Sequence, residues 1–267
     1  MVSSKERMPV LFISHGSPEL AVRDTPTHRF LKSWGEQLPT PQAILIISAH
    51  WETDTLMASG AELPQTVYDF GPRFDRRLWD ITYDAPGAPD IGATALKLIE
   101  TETGIRGDTD ASRGFDHGVW TPLHLLFPDA DIPVAQVSIQ PAESSRHHFD
   151  IGAALKPLRN DGVLIIASGA FTHNLQEFIG KPIDAPEDVW VAQFRRWMTD
   201  RLREGATADL LDYRSSAPHA ERNHPEDEHL LPIFAALGAA GYGTPAHHVH
   251  ADVEYGVLAM DCFLFDA

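Results

Sequence analysis

Three histidines stand where aliphatic runs, of the kind that form buried strands, come to an end. Each run passes a serine and a small-residue turn before it reaches its histidine. The runs are "VLFISHGSP" (10–18) with His15, "ILIISAHWE" (44–52) with His50 and "VLIIASGAFTHNL" (163–175) with His173. Ligands of open α/β sheets gather at the C-terminal ends of strands, and neutral imidazole is a common ligand of zinc and iron. The pattern predicts a metal site, or else histidines that only cap strands by bonding to loop carbonyls.

A fourth histidine lies in a turn that opens a helix. His117 stands between Asp116 and Gly118 in "RGFDHGVWTPLHLLFP". Gly118 lets the backbone pass close to whatever fills a neighbouring pocket. The segment would also be explained by Asp116 acting only as the cap of the helix.

A fifth candidate, His229, follows the acidic residues 226–228 and precedes an alanine- and leucine-rich helix within 222–241. Pro232 removes one backbone donor, so we expect a kink near His229. A helix N-terminus favours carboxylates through its dipole. That explanation accounts for the acidic residues better than for His229.

The other histidines have nothing around them that marks them as ligands. In the extended run 247–250, alternation would place His248 and His250 on one face and His247 on the other, and we expect this run at the surface. The rest of this group are His28, His124, His147, His148 and His219.

Other catalytic chemistries lack their motifs. The sequence contains no G-x-S-x-G, H-E-x-x-H, G-x-x-x-x-G-K-[ST] or G-x-G-x-x-G. These are the patterns of a nucleophile elbow, a zinc peptidase, a phosphate-binding loop and a dinucleotide fold. Nothing marks Ser17 or Ser168 as a nucleophile.

Strand-like and helix-like segments alternate along the chain, which predicts an α/β fold. A fourth strand is expected at 132–140 and another at 253–265, and residues 60–90 read as a long functional loop over the sheet. Helices are expected at 25–38, 88–100, 142–158 and from residue 185 to 202. We therefore predict one domain over 1–267, a sandwich with a central mostly parallel or mixed sheet flanked by helices. The metal site would lie at the C-terminal ends of the strands.

The composition limits the classes of binding partner and the cellular compartment that we expect. The 267 residues carry a net charge of −17, which disfavours nucleic acid and anionic membranes as partners. No stretch has the roughly 18 apolar residues of a membrane span, and the first residues make a poor signal peptide. The single cysteine, Cys262, suits a reducing cytoplasm and reads as a buried thiol. We expect a cytoplasmic protein and leave a homo-oligomer open.

Eight motifs occur along the chain in one order: "SHGSP", "SAHW", "YDFG", "YDAPG", "FDHGVWTPL", "DADIP", "SGAFTHNL" and "HPEDEHLLP…LGAA". Together they resemble the class III extradiol ring-cleavage dioxygenases, in the branch of the 4,5-DOPA dioxygenases. The resemblance runs from about residue 9 to residue 262.

The resemblance implies a single α/β domain with a mononuclear metal site at the mouth of the sheet. By their places in these motifs, His15, His50 and His229 would be metal ligands. His173 would act as acid/base, or as a fourth ligand when zinc is bound, and His117 would contact substrate or oxygen. The resemblance also implies Fe(2+) for activity, Zn(2+) as another occupant of the isolated protein, and a catechol such as DOPA or caffeate, with O2, as substrates.

Related catechol dioxygenases of this class use two histidines and a carboxylate. The matching motif here offers His229, with Glu226 and Glu228 close by. Three or four imidazoles suit zinc as well as iron. Two alternatives to the dioxygenase therefore stay open, namely a zinc-dependent hydrolase on the same scaffold and a non-catalytic binding protein stabilised by its metal.

The expected chemistry needs a proton acceptor, for which the imidazole of His173 is suited near neutral pH, and an aromatic pocket. Trp51, Phe70 and Tyr68 could wall such a pocket, although core packing explains Trp51 equally well. Arg113 could meet a carboxylate of the substrate.

Overall fold

The computed structural model describes residues 7–266, which form ten strands and ten α-helices. The strands are β1 Val10–Ser14, β2 Ala43–Glu52, β3 Leu56–Ser59, β4 Gly107–Asp110, β5 Val134–Ile139, β6 Val163–Gly169, β7 His247–His250, β8 Val253–Glu254, β9 Leu258–Ala259 and β10 Cys262–Phe265. The helices are α1 Pro26–Gly35, α2 Pro89–Thr103, α3 His117–Leu126, α4 Ser145–Leu155, α5 Leu175–Phe178, α6 Val189–Glu204, α7 Thr207–Leu211, α8 Tyr213–Ser216, α9 Ala220–Asn223 and α10 Leu231–Ala240. Three 3-10 helices lie at Pro18–Ala21, Arg76–Asp80 and Lys156–Asp161.

Eight of these strands form one mixed sheet in the order β4-β3-β5-β2-β6-β1-β10-β7. The four central strands β5, β2, β6 and β1 run parallel, whereas β10 and β3 pair antiparallel with their central neighbours. Parallel strands end at the same edge of a sheet, so the residues that follow them come together. The predicted α/β fold with a mixed sheet is confirmed.

Helices cover both faces of the sheet, which explains why the central strands are aliphatic along their whole length. Along β1, Val10 and Phe12 belong to the core that contains α4, α6 and α10. The alternate residues Leu11 and Ile13 belong to a second core beneath α1 and α3. The sheet is therefore rigid from both sides at the edge where its histidines lie.

Two details of the expected elements at 222–241 are wrong. Pro232 lies in the first turn of α10, which begins only at Leu231, so it causes no kink. The acidic residues 226–228 precede this helix in an irregular loop after α9. The helix expected from residue 185 also starts later, at Val189, after Asp188 as its N-cap residue.

The C-terminal segment 253–265 is not one strand. Tyr255 and Gly256 have left-handed backbone angles, with φ of 54° and 68°, and reverse the chain between β8 and β9. The sheet continues only with β10, which contains the buried thiol of Cys262, as predicted.

The expected alternation in the run 247–250 is also wrong. The ring of His248 stacks on Phe263 in one core, and the ring of His250 stacks on Phe30 of α1, on the opposite face of the sheet. The register between β10 and β7 shifts at Cys262, and such a bulge changes which side chains share a face.

No helix in the described part of the chain is both long enough and apolar enough to cross a bilayer.

The predicted loop over the sheet runs from β3 to α2 and contains the 3-10 helix Arg76–Asp80. Asp69 in this loop reaches the edge where the parallel strands end, at His50 and His117, whereas Gly87 pairs with Val134 at the start of β5.

A buried arginine ties the two ends of the described chain to α10. Arg159 is fully buried, and its Nε donates to the carbonyl of Met8 at 2.7 Å. Its Nη1 donates to the carbonyl of Ala239 at 3.1 Å, and its Nη2 to that of Asp266 at 2.6 Å. Burial lowers the pKa of Arg159 to about 10, so the guanidinium is still charged at neutral pH.

We expect Arg159→Leu to lower the free energy of unfolding by about 3 kcal/mol, because the buried carbonyls of Met8 and Ala239 lose their donor, as does the carbonyl of Asp266. Urea unfolding followed by circular dichroism measures this difference. Arg146→Leu is the matched control, since Arg146 forms an exposed pair with Asp150 that is worth at most about 0.5 kcal/mol. Equal losses in the two variants would contradict the role of Arg159.

Candidate metal centre

Three imidazole nitrogens converge at the carboxyl edge of the sheet. Nε2 of His50 lies 3.0 Å from Nε2 of His15 and 3.3 Å from Nε2 of His229. The ring centroids of these three histidines are 4.8–5.5 Å apart. Three residues that are far apart in sequence thus offer their nitrogens to one point.

The orientation of His15 is determined by β6. His15 directly follows β1, and its Nδ1 lies 2.9 Å from Oγ of Ser168. The hydroxyl hydrogen of Ser168 is donated to the carbonyl of Gly118, so Oγ accepts from Nδ1–H of His15. With its hydrogen on Nδ1, the neutral ring presents a lone pair on Nε2.

His229 is oriented by its neighbour in sequence. Its Nδ1 lies 2.7 Å from Oε1 of Glu228, and a carboxylate can only accept, so Nδ1 carries the hydrogen and Nε2 the lone pair. The carbonyl of His229 accepts from the N–H of Ala170 just after β6. A Cβ at Gly169 would lie 2.2 Å from that carbonyl oxygen, so only glycine allows this approach.

His50 lies near the end of β2, inside the strand rather than after it. Its Nδ1 is 3.6 Å from Oδ2 of Asp69. The helix α3 begins directly beside it, because Gly118 has no side chain. A Cβ at Gly118 would lie 2.5 Å from Oγ of Ser48 and 3.0 Å from Cδ2 of His50.

His117, the first residue of α3, is held by the loop between β3 and α2. Oδ1 of Asp69 accepts from the backbone N–H of His117 at 3.0 Å and pairs with its Nδ1 at 2.9 Å. Asp116 occupies the N-cap position but makes no capping hydrogen bond with its side chain. Its buried carboxylate instead accepts from Ser48 and from Arg113.

His173 lies beside the three converging nitrogens rather than among them. Its ring stacks on that of His229, with centroids 3.5 Å apart and an interplanar angle of 15°. Its Nδ1 is 3.5 Å from Oε1 of Glu228, and its backbone N–H donates to the carbonyl of Asn223. One carboxylate therefore contacts both stacked rings.

The electrostatics of the site favour neutral imidazoles. Burial first, and then the neighbouring imidazoles, lower the pKa of His15 well below its ordinary value. The same causes lower the pKa of His50 to about 2 and that of His229 to about 4. At neutral pH all three rings therefore have a lone pair available for a cation.

The two carboxylates of the site stay ionised. Burial alone would raise the pKa of Asp69, but hydrogen bonds from His117 lower it to about 2. Burial would likewise raise the pKa of Glu228, and hydrogen bonds from His173 and His229 lower it well below its ordinary value.

Three groups of side chains in the described residues have potential ligand atoms within 4.8 Å of one another. Two of them contain a carboxylate, Asp69 or Glu228, that already accepts an N–H bond from one histidine of its group. The third consists of the three nitrogens alone, with at least two lone pairs directed at a common point. Neutral imidazole nitrogens directed at one point are a ligand set typical of zinc and iron, so this donor set is the one that fits a metal ion.

A cavity of about 460 Å³ opens over these nitrogens, and His50, His117, His173 and His229 line it. Phe70 also lines it, as expected for an aromatic pocket. Its other lining residues include Glu19, Asp69, Arg73, Phe74, Phe178, Tyr255, Leu258 and Met260.

Three residues expected at the substrate lie elsewhere. Tyr68 packs behind Phe70, with ring centroids 6.1 Å apart, and does not line the cavity. Trp51 is buried beneath the guanidinium of Arg113 at 5.0 Å, which is the packing role. Arg113 itself is paired with buried Asp116, so it is not available for a substrate carboxylate.

Sequence reasoning missed the groups that orient the histidines. The sequence marks Ser168 only as a possible nucleophile and Glu228 only as a carboxylate close to His229. Asp69 lies in the motif "YDFG", which by itself assigns it no role. An acidic residue between two aromatic residues, in a long loop over the expected site, is a signal that marks Asp69 as a candidate, although it does not give the position of its carboxylate.

Comparison with known proteins agrees with this geometry. The family described as "Catalytic LigB subunit of aromatic ring-opening dioxygenase" matches residues 9–259. The chain belongs to the LigB family. It is 39% identical over 258 residues to the 4,5-DOPA dioxygenase extradiol of Beta vulgaris, covering 95% of each chain. It is 34% identical over 267 residues to the protein of the same name from Escherichia coli K12, covering 97% of this chain and 95% of that one.

A solved structure shows the same fold. An uncharacterized protein from Escherichia coli K12 superposes with a TM-score of 0.78 at 30% identity, covering 97% of this chain and 100% of that one. As a LigB-family member, the chain is an aromatic ring-opening dioxygenase of the extradiol type, and its family is metal-dependent. The predicted family and enzyme class are confirmed, and none of these findings supports the hydrolase or the binding protein.

We expect His50→Gln to weaken the binding of Fe(2+) and of Zn(2+) by about 100-fold or more, because the central nitrogen of the three is lost. Competition with a chromophoric chelator, read beside elemental analysis, measures the affinity. His219→Asn is the control, since His219 is exposed, bonds through its ring to Gln193 and has a left-handed backbone that asparagine tolerates. Unchanged affinity in His50→Gln would show that the metal lies elsewhere.

Proposed function

We propose that this LigB-family chain holds one ferrous ion on His15, His50 and His229 and inserts both atoms of O2 into a catechol by extradiol ring cleavage. The observation that carries this proposal is the convergence of the three Nε2 atoms, at 3.0 and 3.3 Å, beneath a cavity lined by aromatic rings. A bound ferrous ion supplies open, redox-active coordination positions, whereas zinc polarises its ligands without passing electrons.

His173 is suited to accept a proton from a catechol hydroxyl. Its Nδ1 faces the carboxylate of Glu228, so the hydrogen on that atom stays in place and Nε2 is the atom that accepts. The ring of His173 stacks on that of His229. It therefore lies next to the three nitrogens without being one of the three that converge. We therefore assign His173 to acid/base chemistry, with a role as fourth ligand when zinc is bound.

His117 is suited to hold or donate a second proton. Asp69 accepts from its Nδ1, which leaves Nε2 as the exchanging atom. The ionised carboxylate stabilises the positive charge that the ring gains when Nε2 is protonated. The centroid of His117 lies 3.9 Å from that of His50, so this proton is available close to the metal site.

The cavity fits a single aromatic ring with a substituent. Its volume of about 460 Å³ is within the range of small-ligand sites. Phe70, Phe74 and Met260 form apolar walls that exclude water from the ring. Since the relatives in Beta vulgaris and Portulaca grandiflora are named 4,5-DOPA dioxygenase extradiol, we propose DOPA, caffeate or a similar catechol as the substrate.

We also propose iron as the native metal, with zinc as the competing occupant, and one catalytic domain spanning the chain. The cytoplasm is the compartment we expect, because the lone cysteine Cys262 is a buried thiol that suits reducing conditions.

The direct test is oxygen consumption by protein loaded anaerobically with Fe(2+) and then mixed with aerated DOPA, caffeate or unsubstituted catechol. We expect oxygen uptake in a 1:1 ratio with a yellow ring-opened product for at least one catechol. Protein loaded with Zn(2+) serves as the control and should consume none. If the iron-loaded protein consumes no oxygen with any catechol, or if the zinc-loaded protein turns over an ester without oxygen, the proposal is wrong.

The role of His173 has a test of its own. We expect His173→Gln to keep the bound iron and to lose about 100-fold or more in kcat, because the proton acceptor is removed. His219→Asn again serves as the control and should keep both. Loss of iron together with kcat would instead assign His173 to the ligand set, and retention of full kcat would exclude either role.

A further inference from the structure

We propose that Arg73 binds an anionic group on the substituent of the substrate, and that this enzyme therefore selects catechols with a carboxylate side chain. The inference rests on the proposed function and names the residue that determines specificity at the same site. Arg73 is the cation that lines the cavity within the described residues 7–266.

The two acidic residues of the cavity wall are already engaged. Glu19 forms an ion pair with Arg23 and accepts from the backbone N–H of Asp75 at 3.2 Å. Asp69 accepts from His117 through both its backbone and its ring. Within the described residues, neither carboxylate forms an ion pair with Arg73.

Arg73 itself is unpaired. Among the residues that the structure describes, none forms a hydrogen bond or an ion pair with its guanidinium. Its neighbour Arg77 is paired with Asp75 at 2.7 Å, and the more distant Arg113 with Asp116. In a chain with 38 acidic and 21 basic residues, an unpaired arginine at the cavity has its five donors available for a ligand.

The backbone around Arg73 is anchored although its side chain is exposed. The rings of Phe70 and Phe74 lie 5.5 Å apart, and both line the cavity on either side of Arg73 in sequence. Phe70 in turn contacts the ring of His117, with centroids 6.0 Å apart. A wall of rings thus leads from His117 to the segment that carries Arg73.

The charge of the protein explains why such a residue is needed. A net charge of −17 repels an anionic substrate at long range. A guanidinium binds a carboxylate through two parallel hydrogen bonds, which fix its orientation as well as its distance. Arg73 would therefore favour an anionic catechol over its neutral ester and over a cationic catechol amine.

The test compares kcat/KM for caffeate, methyl caffeate and dopamine in the iron-loaded wild type, in Arg73→Met and in Arg76→Met. Arg76 is an exposed arginine of the same segment that does not line the cavity, so it is a matched control for net charge. We expect the wild type to prefer caffeate over its ester by about tenfold. This ratio should fall to near one in Arg73→Met, mainly through the KM for caffeate, and should be kept in Arg76→Met.

Three results would overturn the assignment. The preference for caffeate over its ester could survive in Arg73→Met, or it could be lost equally in Arg76→Met. The wild type could also fail to distinguish the acid from the ester. The failure of the dioxygenase proposal is a separate outcome, in which the wild type cleaves none of the three catechols.

In that case, calorimetric titration of zinc-loaded protein with caffeate and methyl caffeate tests whether Arg73 binds the carboxylate, without turnover. The Kd for caffeate alone should rise about tenfold in Arg73→Met, and an unchanged Kd would reject the inference.

Discussion

The carboxyl edge of this sheet brings the nitrogens of three neutral imidazoles within 4.8 Å of one another, and the site depends on how their rings are held. The arrangement holds because hydrogen bonds on the outer side of the rings fix them. Ser168 accepts from Nδ1 of His15, and Glu228 accepts from Nδ1 of His229. With those hydrogens on the outside, the Nε2 atoms of His15 and His229 face inward beside His50, where they could share one cation.

The same outer groups join the metal site to the residues proposed for proton transfer. Asp69 lies against both His50 and His117. Glu228 likewise lies against both His229 and His173, whose rings are stacked. Each carboxylate thus contacts one proposed ligand and one proposed acid or base, so a metal ion at this site and the protons of His117 and His173 would be coupled through shared oxygens.

Much of this centre could be predicted because it depends on regular structure. Buried parallel strands have a recognisable sequence, and their ends meet at one edge, so His15 and His50 could be placed together before any coordinates. The place of Asp69 could not, because the conformation of its loop depends on distant contacts such as that between Asp75 and Glu19. Likewise, the rule that proline breaks helices does not reveal that Pro232 is in a first turn, where it is tolerated.

The central claim is that three nitrogens share one cation. It is tested most directly by anomalous X-ray diffraction at the iron edge from crystals of anaerobically iron-loaded protein. The account predicts one anomalous peak, about 2 Å from Nε2 of each of His15, His50 and His229. A peak bound to other side chains, or none at this edge of the sheet despite full iron content in solution, would contradict it.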